Sequence, residues 1–97
     1  MEEYNYLVIL YDFYSELLNE TQKKYFEDYY FNNLSLGEIS ENVGISRNAI
    51  HKNIKNVIEK LYFYEDKLKL YEKKCKLEEI TKEINDEEIK NKIKELY

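Results

Sequence analysis

Between Leu34 and Ile58 the chain carries two helix-start signals with one stop between them, and this spacing leaves little freedom of fold. Ser35 is followed three residues later by Glu38, the pattern of a reciprocal capping box. Leu36, Ile39 and Val43 then recur at helical spacing. Gly44 falls where a helix must end in the left-handed conformation that glycine adopts cheaply. Ile45 can plug the turn into a core, and Ser46 can cap a second helix with Ala49, Ile50, Ile54, Val57 and Ile58 on its apolar face. Two short helices joined in this way form a helix-turn-helix, whose second helix is offered to a nucleic-acid groove.

The rest of the chain agrees with an all-α fold, a small helical domain with a long C-terminal helical extension. It has no proline and only two glycines, and no sustained alternation or Asn-Gly turn that would mark a hairpin. At 97 residues and 43% hydrophobic content it can build one real core. We expect a helix-turn-helix domain over 1–76 with a long fourth helix, and a helical tail over 77–97. The first helix, Glu2 to about Leu18, is apolar on nearly every face and needs more than one partner surface. Asn19 and Gln22 mark the start of a second helix, Glu20 to Phe31.

After Ser46 no stop signal appears. Ile50, Ile54, Val57, Leu61, Tyr64, Leu68, Tyr71 and Cys75 alternate steps of four and three, a heptad-like seam. It predicts one helix from Arg47 to Lys76, or two bent near Tyr62–Tyr64. The second half of that seam overshoots a four-helix core. It needs either a second copy of the chain, giving a homodimer, or helix 1 folded back along it. Asn85 with Glu88 predicts the start of a last helix that ends near Leu96.

The net charge of −5 and a pI near 5.0 count against indiscriminate nucleic-acid binding. The charge is unevenly placed, however. Residues 34–60 hold three acids and four bases, Arg47, Lys52, Lys55 and Lys60, all on the second helix of the motif. The expected nucleic-acid-binding residues are therefore Ser46, Arg47, Asn48, His51, Lys52 and Lys55. Arg and Asn can grip base edges, and Ser and Lys suit phosphates. The same residues would also serve as the plain solvated face of an amphipathic helix.

Catalysis and cofactors are not expected. One His and one Cys cannot hold a metal. Along a continuous helix, 24 residues would part His51 from Cys75 by about 36 Å. No glycine-rich phosphate loop is present. The lone cysteine suits a reducing cytoplasm, and Met-Glu-Glu at the start offers no basic leader. The apolar run Tyr6–Tyr11 is too short to enter a membrane.

The stretch Leu10 to Lys73, with the blocks LYDFY, DYYFNNLSLGEI and ISRNAIHKNIK, resembles the YlxM family. These are small bacterial helix-turn-helix proteins similar to region 4 of sigma factors. The resemblance implies an all-helical fold, and a gene beside that of the signal recognition particle GTPase. It implies a regulatory or accessory role in that pathway through DNA, RNA or the particle's protein, with dimers among its members. Carried over by position, it supports Ser46, Arg47, Asn48, Lys52, Asn53 and Lys55 as the exposed helix. This chain departs from the pattern at His51, where an aromatic is common, at Lys52, where an acid is, and at Asn56, where a base is. Asn53 stands where ordinary helix-turn-helix proteins place an apolar residue. An alternative reading is a homodimer that binds the particle's protein without touching nucleic acid.

Overall fold

The computed structural model describes residues 2–97, which are all-α: α1 (Glu2–Tyr14), α2 (Glu20–Tyr30), α3 (Leu36–Val43), α4 (Arg47–Leu68), α5 (Leu70–Lys82) and α6 (Glu87–Lys94). Local capping chemistry sets most boundaries. Asn19 Oδ1 accepts the Gln22 N–H at 2.8 Å, and Gln22 Oε1 accepts the Asn19 N–H at 3.0 Å, which starts α2. Helix α1 stops short of Leu18, because Ser15–Leu17 tighten into a single 3-10 turn. For α6 the cap is Asp86 rather than the expected Asn85. Asp86 Oδ1 accepts the N–H groups of Glu88 and Ile89, so the helix begins one residue later.

Two linked clusters form the core. Tyr25, Ile39, Ile50 and Ile54 tie α2, α3 and α4 together and close the helix-turn-helix. Leu7, Leu10, Tyr14, Leu18, Phe26, Val57 and Leu61 bind α1 to α2 and α4. Fully burying an aliphatic or aromatic side chain of this size contributes about 1.5 to 3 kcal/mol. Helix α1 therefore lies along the second half of α4 and covers Leu61 completely. Of the two ways to hide the seam, the fold within one chain covers its residues fully as far as Leu61, and Tyr64 and Tyr71 in part, both packed on α1. Leu68 remains 45% exposed. The molecule is elongated, 56 × 24 × 24 Å, with α6 packed on α5.

Of the two expected forms of the Arg47–Lys76 stretch, two helices rather than one are present, and the break falls at Lys69 instead of near Tyr62–Tyr64. The fourth helix ends at Leu68, and the chain turns at Lys69, which sits in the left-handed region with φ 55°. A non-glycine residue there costs about 1 to 2 kcal/mol. Tertiary hydrogen bonds offset that cost. Glu65, buried although charged, accepts the Tyr14 phenol at 2.6 Å and the N–H groups of Tyr71 at 3.1 Å and Glu72 at 3.2 Å. Tyr14 Oη in turn accepts the Leu70 N–H at 3.1 Å. Three otherwise orphaned donors at the start of α5 are thus met by side chains from α4 and α1. Burial, then the bond to Glu65, pushes the Tyr14 phenol up to about 12. Tyr11, stacked on Phe26 with centroids 4.5 Å apart and bonded to Glu27, is also raised, by burial first.

Candidate nucleic-acid interface

The candidate interface is built on the turn between α3 and α4. Ser35 Oγ accepts the Glu38 N–H at 3.1 Å, and Glu38 Oε1 accepts the Ser35 N–H at 3.1 Å, so the expected capping box forms. Gly44 ends α3 at φ 74°. The Ser40 hydroxyl donates to the Ile45 carbonyl and braces the turn. Ile45 stays 41% exposed and does not plug the core; Ile39 and Ile50 fill that space instead. Ser46 Oγ accepts the Ala49 N–H at 3.2 Å and starts α4.

All six expected contact residues lie on the surface. Ser46, Arg47, Asn48, His51, Lys52 and Lys55 are each exposed. At about 100° per residue, the five on α4 fall within an arc of roughly 140°. None of Arg47, Lys52 and Lys55 forms an ion pair among the described residues, whereas Lys23 and Lys24 on α2 do. His51 and Lys55 flank a shallow cavity of about 160 Å³ floored by Tyr29, Tyr30, Leu36, Ile54 and Ile58. The Ser46 hydroxyl is already used as a cap, which leaves its remaining hydrogen-bonding capacity for an outside partner.

Sequence reasoning missed one element of this surface. The Arg47 guanidinium folds back over the first turn of α3. A β-carbon added at Gly37 would sit 2.8 Å from Arg47 Nη2 and 3.0 Å from Cζ. Gly37 thus leaves room for the Arg47 charge beside the α3 N-terminus, where backbone N–H groups also favour anions. The only sequence signal for it is an otherwise unfavourable glycine in a helix's first turn. Asn53, flagged as polar at an apolar position, is half-buried, and its Oδ1 is fully enclosed without a hydrogen-bond partner. Nothing in the structure explains that choice.

Among the described residues no group of three or more His, Cys, Asp or Glu side chains is placed to hold a metal. No described helix is long and apolar enough to cross a membrane.

An exposed helix, started by its own cap and held against a capped shorter one, defines a helix-turn-helix protein. The chain belongs to the UPF0122 family, whose model, described as "Putative helix-turn-helix protein, YlxM / p13 like", matches residues 1–97. It is similar to UPF0122 protein FN1394 of Fusobacterium nucleatum, 49% identical over 69 residues, or 71% of this chain and 67% of that one. UPF0122 protein TTE1463 of Caldanaerobacter subterraneus is 45% identical over 69 residues, 71% of this chain and 59% of its own length. UPF0122 protein lwe1821 of Listeria welshimeri is 38% identical over 104 residues, covering 98% of this chain and 94% of the relative. The family is described by its motif and not by a reaction.

Proposed function

We propose that this chain is a cytoplasmic, non-enzymatic accessory or regulatory protein of the signal recognition particle pathway that engages DNA or RNA through α4. One observation carries the reading: Arg47, Lys52 and Lys55 stand unpaired and exposed on one face of α4, in a chain that is otherwise acidic. Asn48 contacts bases at the groove, the Arg47 guanidinium, folded back over Gly37, meets a phosphate beside the α3 N-terminus, and Ser46, Lys52 and Lys55 contact further phosphates. His51 sits between them and the tyrosine-floored hollow. The pathway follows from the YlxM resemblance, and the free thiol of Cys75 suits a reducing compartment.

The overall charge of −5 favours a second reading, in which the particle's protein is the partner and nucleic acid is not touched. A pull-down from lysate with and without nuclease separates the two. Loss of the partner on nuclease treatment supports the nucleic-acid reading, and its retention supports the protein one. Homodimerisation belongs to the same proposal. Its support is narrower than the whole seam: Phe63, Leu68 and Leu70, 57%, 45% and 41% exposed, remain uncovered around the α4–α5 bend. Sedimentation equilibrium at micromolar concentration should show a species of twice 11.9 kDa, and a monomer at all concentrations rejects it.

A further inference from the structure

The bend at Lys69 opens a cleft of about 510 Å³ at its inner angle, where α1, α4 and α5 meet. Its walls combine two chemistries. Tyr6 of α1 lies between Tyr62 of α4 and Tyr71 of α5, with ring centroids 5.9 Å from each and planes tilted by 34° and 61°. Asp66 and Glu72 bring carboxylates to the same cleft, which the buried and already bonded Glu65 also lines, against one base, Lys69. We propose that this cleft is a binding site for an arginine side chain presented by a protein partner. It goes beyond the nucleic-acid reading and does not depend on it.

The chemistry selects that occupant. Three tyrosine rings line one hollow, and an open ring face there attracts a cation through its quadrupole. Carboxylates at the rim supply acceptors for a guanidinium fork, and a planar guanidinium can lie flat against a ring as an ammonium cannot. The same carboxylates repel phosphate, so this end of α4 suits a protein where its other end suits nucleic acid. Burial and then Glu65 raise the Tyr6 phenol, and burial and then Glu3 raise that of Tyr62. No lysine lies over these three rings among the described residues; the cation–π contacts present involve Phe63 and Phe13. Glu72 pairs with Lys76 at 3.2 Å and Lys69 at 3.6 Å, and Asp66 with Lys67 at 3.6 Å. These are solvent-facing pairs, which exchange readily for a better-placed cation. The cleft lies on the same side of α4 as His51, with Tyr62 about 16 Å further along the helix.

The test titrates acetyl-arginine methylamide into the full chain and follows tyrosine ring resonances by NMR. Saturable shifts confined to Tyr6, Tyr62 and Tyr71 are expected. The citrulline analogue, equal in shape but uncharged, should bind about tenfold more weakly, as should Tyr62→Ala and Asp66→Asn protein. Tyr62 is 39% exposed and Asp66 lies on the surface, so both variants should keep the fold, which their amide spectra check. The double variant Lys52→Glu/Lys55→Glu should bind the probe unchanged. Equal binding of citrulline, shifts scattered over the surface, or a lysine analogue that binds as tightly as arginine would each overturn the proposal.

Discussion

Replacing Glu65 by alanine should be among the most damaging single changes at any charged position in this chain. Three donors converge on its carboxylate: the Tyr14 phenol and the Tyr71 and Glu72 amides. Stranding a buried donor costs about 1 to 3 kcal/mol. Water reaches the opened site in part, and removing a buried charge returns some of its desolvation cost. The net loss should be about 3 kcal/mol, a large share of the roughly 5 to 15 kcal/mol that holds a domain folded. For a domain of this size that lowers Tm by roughly 12 to 24 °C. Glu65→Gln keeps one acceptor and should lose about half as much. Urea unfolding followed by circular dichroism reads both. Hydrogen exchange at Leu70, Tyr71 and Glu72 should accelerate together in the alanine variant. If Glu65→Ala unfolds within about 0.5 kcal/mol of wild type, an ordinary surface effect, the bend is not held in the way argued.

Two further outcomes follow from the same geometry. Gly37→Ala should raise stability by about 0.5 to 1 kcal/mol through helix propensity. It pushes the Arg47 guanidinium aside, so nucleic-acid affinity should fall severalfold while urea stability improves; unchanged affinity would show that the position of Arg47 does not matter. The raised phenol of Tyr14 makes stability sensitive to alkali. The folded state holds that proton more tightly than the unfolded chain does, so its contribution is complete below pH 10 and is lost as pH rises towards about 12. Urea midpoints should drop across that window, and less steeply in Tyr14→Phe; an equal drop in both would remove Tyr14 as the cause.

Much of the helix-turn-helix could be read from the sequence because its determinants are local. Ser35 with Glu38, Gly44, and Ser46 each act within four residues, and Asn19 with Gln22 does the same for α2. The bend at Lys69 could not be read in that way. No glycine or proline marks it, and the groups that stabilise it, Tyr14 and Glu65, lie 51 residues apart in the chain. A period-based seam therefore ran on through Leu68, whereas the chain turns there and buries Glu65 instead. The exposed face of α4 was legible as a pattern of charge. The placement of Arg47 over Gly37 was not, because it depends on how α3 and α4 cross.

The central claim is that the exposed bases of α4 meet phosphates. Fluorescence anisotropy of labelled duplex DNA and of labelled RNA against salt tests it most directly, with wild type beside Lys52→Glu/Lys55→Glu. Each phosphate neutralised contributes about 0.9 to the slope of log affinity against log salt for duplex DNA. Wild type should bind at least one of the two ligands with a steep slope. The variant should bind it far more weakly, with the slope reduced by about two. Equal affinity and slope for both proteins, or no binding by wild type even at low salt, would contradict the account.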